Sequence, residues 1–222
     1  MLLRDNLHEY QKRLITQAQT IPSIGLFMEP GLGKTVTALT IIAEQMQGRT
    51  LIVAPKKVAE SVWAEEAARW AHLQHITINK CLGTPKERLR ALEEPSDAVI
   101  VNLENLVWLL EQGHRFDNLV LDESSRFKDP STKRFKAIKK QLKQYRRRVI
   151  LTGTPSPQGL SDLWAQVGIL DLGQRLETSL TKFRDKYMVP DQINRHTRVV
   201  YSWKIKDDAT SVSIKSKISD IC

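Results

Sequence analysis

The chain has 222 residues, enough for one large α/β domain or two small ones and for a substantial buried core. Its 34 Lys and Arg against 25 Asp and Glu give a net charge of +9, which favours an anionic partner, most often nucleic acid, over a membrane surface or an acidic protein. Two distant cysteines, Cys81 and Cys222, exclude a disulfide framework and a CxxC zinc site, and no stretch reads as a signal peptide or a transmembrane helix, so a soluble, cytoplasmic protein with no membrane partner is expected.

In chain order, β-branched runs recur at IGLF 24–27, LIVA 51–54, AVIV 98–101, LVLD 119–122 and RVILTG 148–153. Without polar alternation such runs suit strands buried on both faces. Between them, 36–45, 59–70, 104–112 and 131–142 have helical length or spacing, and TPKE at 84–87 reads as an N-cap with Pro85 at the first helical position. Strands alternating with helices predict an α/β fold with a mostly parallel central sheet flanked by helices and joined by right-handed crossovers. Beyond Pro155, helical segments at about 159–170 and 176–187 give way to the polar PDQINRHTR, the alternating VVYSWKIK and a Ser/Lys-rich tail. Nothing there supplies another βαβαβ series, so residues 1–190 are read as one domain and 191–222 as an appendage or linker.

The stretch MEPGLGKT at 28–35 lies between the first strand and the helix after it. The phosphate-loop pattern GxxxxGK(S/T) wants glycine where Met28 stands. Gly31 and Gly33 nevertheless give the backbone room to wrap a phosphate with successive N–H groups and a helix N-terminus. Lys34 is placed to reach the β and γ phosphates of a nucleotide, and Thr35 to offer its hydroxyl to Mg²⁺. A glycine-rich turn leading into an ordinary helix is the plain alternative, but strand, loop and helix fall where the motif needs them. LVLDESS then ends a buried strand in Asp122 and Glu123. Asp122 suits a Mg²⁺ held through water, and Glu123 suits the base that orients and deprotonates an attacking water. An apolar strand ending in Asp-Glu is a weak signal alone; paired with Lys34 it is a strong one.

Six stretches in this order resemble the first motor lobe of superfamily 2 helicases (DEAD/DEAH-like), and within them the Swi/Snf-type double-stranded DNA translocases. LHEYQKRLI resembles the motif that reads adenine through a glutamine, here Gln11, and MEPGLGKT is similar to the family's DEMGLGKT, which has no glycine at the place of Met28. LIVAPKKVAESVWAEEAARW, VIVNLENL, LDESSRFKDPSTKRFKAI and LTGTPSPQGLSDLWAQVGIL resemble the second-strand, third-strand, metal-carboxylate and coupling motifs. The resemblance covers residues 5 to 190 and implies a RecA-like P-loop domain that binds ATP and Mg²⁺. It implies nucleotide contacts from Gln11, Pro30, Gly31, Leu32, Gly33, Lys34, Thr35 and Val36, with Thr35 and Asp122 at the metal. It further implies DNA contacts from Pro55, Lys56, Lys57, Asn102, Leu103 and Lys128, and a relay of ATP state through Ser125, Thr152, Gly153 and Thr154. Ser125 stands where the family's Asp-Glu-x-His ends in histidine, and a hydroxyl is shorter and carries no charge. The chain also ends near where the family's second lobe begins, so a truncated chain, or one that needs a partner lobe, is expected, in a phage-infected or bacterial cytoplasm.

The segment 133–148 holds nine Lys and Arg and no acidic residue. It reads either as a solvated helix face or as a phosphate track, where each neutralised phosphate adds about 0.9 to the logarithmic salt slope. Trp63, Trp70, Trp108 and Trp164 fall on helical segments and read as core, whereas Trp203 lies in the alternating YSWKIK, where either core packing or base stacking would suit it. His72 and His75 lack further ligands for a metal. Three functions stay open: a motor lobe on duplex DNA, a nucleotide-gated DNA-binding module, and a small-molecule phosphotransferase, which would need an acceptor pocket and a lid.

Overall fold

A computed structural model describes residues 1–157, 159–194 and 196–222. The apolar runs form a parallel sheet from strands β1 (Ser23–Phe27), β2 (Thr50–Ala54), β3 (Ile78–Cys81), β4 (Ala98–Asn102), β5 (Asn118–Asp122) and β6 (Arg147–Thr152), in the order β1-β6-β5-β2-β4-β3. Five of these match the runs read from hydropathy. The sixth, β3, carries the polar Asn79 and Lys80 and sits at an edge beside β4, where one flank needs no apolar cover.

Alternation along the strands divides the core in two. Ile52, Ala54, Ile100, Val120, Val149 and Leu151 face a layer built from α1 (Glu9–Thr20), α2 (Lys34–Gln45) and α3 (Trp63–Arg69). Leu51, Val53, Val99, Leu119, Leu121 and Ile150 face α4 (Pro85–Glu93), α5 (Leu106–Glu111), α6 (Lys133–Gln141), α7 (Leu163–Asp171) and α8 (Leu180–Tyr187). Between β2 and α3 the chain makes a wide π-type turn over Val58–Val62. Helix α4 starts as its sequence predicts: Glu87 N donates to Thr84 Oγ1 at 3.3 Å, and Thr84 N donates back to Glu87 Oε2 at 2.7 Å.

The last segment is more ordered than its polarity implies. Strands β7 (Met188–Ile193) and β8 (Val200–Ile205) form an antiparallel hairpin, and the Ser/Lys-rich tail is helix α9 (Asp208–Ile218), capped by Asp207. Ile214, Ile218 and Ile221, spaced four and three apart, are buried in the second layer. Gly25 N donates to Ile221 O at 2.6 Å, and Gln17 Nε2 to Asp220 O at 2.8 Å, so this segment lies along the outer edge of β1.

Candidate active site

The C-terminal ends of β1, β6 and β5 bring together the loops after them, and the phosphate-loop stretch is the first of these. Gly33 has φ of 72° and is the N-cap of α2, and an added Cβ would lie 2.3 Å from Gln11 Nε2. Glycine is therefore required there both for its conformation and for its size. Gly31, with φ of 85°, turns the loop in open space. Among the described residues no side chain caps α2, which leaves its first-turn N–H groups without a side-chain acceptor in the loop. Lys34 Nζ donates to Met28 O at 2.8 Å and Glu29 O at 3.1 Å, which holds the ammonium inside the same loop. Gln11 is buried beneath it, accepting from His8 N at 2.8 Å and donating to Leu32 O at 3.2 Å. Uncapped amides, a central ammonium and an open, left-handed glycine turn are the donor set a nucleotide phosphate needs.

Strand parity puts Asp122 on the face of Val120, toward α2 and α3. It is 7% exposed; Oδ2 accepts from Trp63 Nε1 at 3.0 Å and Oδ1 from Glu123 N at 2.9 Å. Burial pushes its carboxyl above the usual range, with Trp63 and the charge of Lys34 pulling the other way. A buried carboxylate at the end of a strand, within the field of Lys34, is a group that could take a Mg²⁺ that keeps most of its waters. Glu123 stands next in a left-handed conformation, φ of 54°.

The β6 loop seats directly on the phosphate loop. Met28 N donates to Thr152 O at 3.2 Å, Thr154 N donates to the buried Thr152 Oγ1 at 3.1 Å, and an added Cβ on Gly153 would lie 3.0 Å from Pro30 Cδ. Among the described residues the Ser125 side chain makes no hydrogen bond to these threonines. The buried link from its turn comes instead from Ser124, which bonds Gln166 Oε1 at 2.8 Å, while Gln166 Nε2 donates to Pro155 O and Asp162 O. Reading the sequence singles out neither Trp63 nor Ser124 as a site residue. A buried indole that needs an acceptor is the one signal for Trp63.

Lys56 and Lys57 are exposed and Pro55 is half-buried at the end of β2, while Asn102 and Leu103 are buried at the end of β4. Asn102 is bound on both sides, by Glu104 Oε2 at 2.6 Å and Asn105 Nδ2 at 2.7 Å. Lys56, Asn102, Glu104 and Asn105 line one cleft, and Lys128, at the end of the turn after β5, pairs with Asp162 at 3.3 Å. The basic segment divides. Lys133, Lys136, Lys139, Lys140 and Lys143 are exposed on or just after α6. Arg147 and Arg148 sit at the opposite, N-terminal end of β6, donating to Ala18 O and to Leu142, Tyr145 and Leu170 carbonyls. Their role there is to satisfy backbone, and burial lowers the pKa of Arg148. Among the described residues no cluster of three or more His, Cys, Asp or Glu could hold a metal ion, and no helix is long and apolar enough to cross a membrane.

Known proteins share this arrangement. Residues 11–213 match the family described as SNF2-related domain. Protein p41 of the Acyrthosiphon pisum secondary endosymbiont phage 1 is 36% identical over 192 residues, 80% of this chain and 42% of that protein. The DNA excision repair protein ERCC-6-like of Danio rerio is 29% identical over 208 residues, 85% of this chain and 14% of its own. The chain thus spans less than half the length of these relatives. Among solved structures, the Sulfolobus solfataricus SWI2/SNF2 ATPase core in complex with dsDNA has a TM-score of 0.79 at 24% identity, covering 97% of this chain and 43% of that one. That likeness establishes the RecA-like fold.

Proposed function

The chain belongs to the SNF2-related domain family, and from that premise we propose that it is the ATP-binding first motor lobe of a Swi/Snf-type DNA translocase. The observation that carries the reading is the convergence at one sheet edge of Lys34, the uncapped start of α2 and the buried Asp122. Gln11, Pro30, Gly31, Leu32, Gly33, Lys34, Thr35 and Val36 hold the nucleotide, and Thr35 with Asp122 holds Mg²⁺. When bound, the metal neutralises phosphate charge and orients the group to be transferred. Lys34 exchanges two loop carbonyls for phosphate oxygens, and the α2 N–H groups supply the remaining positive field. Glu123 accepts the proton of the attacking water.

Pro55, Lys56, Lys57, Asn102 and Leu103 form the DNA-facing edge, the exposed Lys56 and Lys57 as charge and the buried Asn102 and Leu103 through the shape of their loop, and the half-buried Lys128, beside Asp162, adds to it from the turn after β5. Thr152, whose carbonyl accepts from Met28 N, and Gly153, seated against Pro30, relay nucleotide state with Thr154 toward that edge, and the side-chain link to them from the turn after β5 runs through Ser124 and Gln166 rather than Ser125. Duplex DNA and a second RecA-like lobe are the partners. Residues 1–190 form the lobe, and 191–222, which pack back on it through Ile214, Ile218 and Ile221, are the appendage on the side of the second one. The phage relative supports a phage or prophage setting in a bacterial cytoplasm.

Steady-state ATPase with and without duplex DNA tests this, together with ATP binding, for the chain and for Lys34→Ala. Micromolar-to-millimolar ATP binding is expected, lost in Lys34→Ala, with very slow turnover and little DNA stimulation without a second lobe. Robust phosphate transfer to a small acceptor would overturn the motor reading.

A further inference from the structure

The indole of Trp63 is 1% exposed, and its N–H has one acceptor among the described residues, Asp122 Oδ2 at 3.0 Å. A phenylalanine would fill most of the same space, so packing alone does not explain an indole there. The other oxygen of Asp122 is held by Glu123 N at 2.9 Å. With one donor on each oxygen, turning the carboxylate about its last bond would break at least one of these hydrogen bonds. The acceptor directions that remain are fixed relative to the strand end and to Lys34. Removing the indole N–H would leave a buried anionic oxygen without its partner, which the side chain would relieve by turning.

We propose that Trp63 is a positioning residue for Asp122, fixing the carboxylate in the orientation in which it takes Mg²⁺ with bound nucleotide. The inference rests on the reading of Asp122 as the metal carboxylate. It adds a contact from a different element: Trp63 is the first residue of α3, directly after the π-type turn that follows Lys56 and Lys57. Groups that orient a metal's ligands from behind commonly change metal affinity about 10- to 100-fold when removed.

The test is binding rather than turnover. Affinity for a fluorescent methylanthraniloyl ATP is measured without metal and across a Mg²⁺ titration. The proteins compared are the unmodified chain, Trp63→Phe, and a chain whose Trp63 is replaced by its benzothiophene analogue, which keeps the indole's shape and lacks the N–H. Melting curves check that each is folded. The expected result is an unchanged metal-free affinity and a Mg²⁺ midpoint raised about 10-fold or more in both replacements. The analogue decides if the Phe chain does not fold. A Mg²⁺ midpoint that stays put in the folded analogue, or a metal-free affinity that falls in parallel with it, overturns the inference and leaves ATP binding standing. If the unmodified chain binds the nucleotide neither with nor without Mg²⁺, the ATP reading fails and takes the inference with it.

Discussion

Glu123 is held at φ of 54°, a conformation that costs a non-glycine side chain about 1 kcal/mol or more. Leu172, Glu177 and Arg198 share that conformation outside the site, so it is the place of Glu123, beside Asp122 at the end of β5, that points to a chemical role. Glu123→Gln, which keeps shape and backbone, is expected to bind ATP normally and to abolish the residual turnover. Unchanged turnover would remove Glu123 as the base. A second residue gives a pH signature unrelated to the site. Burial pushes the Cys81 thiol up to about 11, from an ordinary value near 9. The folded state keeps a proton that the unfolded chain releases, so this contribution to stability is complete below pH 9 and lost as pH rises through 11. The melting temperature should fall across that window, less steeply in Cys81→Ala, and equal slopes would mean the thiol is not responsible. At this scale the phosphate-loop and carboxylate residues are legible in sequence because their chemistry is local, a glycine turn or a strand end. The Trp63–Asp122 contact joins residues 59 apart and depends on how α3 lies on the sheet, which no local pattern encodes.

Helix α6 and strand β6 share one basic stretch and use it in opposite ways. Lys133, Lys136, Lys140 and Lys143 are exposed, and among the described residues none forms an ion pair. Replacing these four with Ala should leave stability within about 0.5 kcal/mol and lower the salt slope of duplex binding by about 0.9 for each phosphate left without its lysine. An unchanged slope would make α6 a solvated face. Arg148 behaves otherwise, because its guanidinium donates to three carbonyls at the N-terminal end of β6. Arg148→Ala should cost about 2–4 kcal/mol in urea unfolding with no change in salt slope, since it strands those acceptors. Charge alone could not separate the two groups; the strand boundary at Arg147 does. The same limit explains the elements that hydropathy missed. Edge strand β3 is half polar, and α9 shows only a sparse isoleucine stripe amid serine and lysine.

Over the whole molecule, alternating strands and helices made the parallel α/β architecture legible, but not the strand order, which arises from long-range pairing. That order leaves β1 at an edge, with Ile214, Ile218 and Ile221 packed beside it. Ending the chain after Asp207 would expose a bare strand edge and forfeit three buried isoleucines, roughly 2 kcal/mol each. A melting temperature lower by about 10 °C or more and self-association on size exclusion are expected. A monomer with unaltered melting would show this segment to be dispensable to the fold.

The same arrangement sets an order of events during synthesis. Strand β1, which leads into the phosphate loop, emerges among the first 27 residues, yet its partner in the sheet, β6, begins at Arg147. A ribosome therefore adds roughly 120 residues, ~6–24 s of elongation, before β1 can pair with it, and Ile221 arrives later still. Strands β2, β4 and β5 can zip together in that interval. The apolar SIGLF strand waits unpaired, open to strand addition by a neighbouring nascent chain. The nucleotide pocket is thus among the last features to form, and overproduction at high translation rates should trap this protein in inclusion bodies through its first strand.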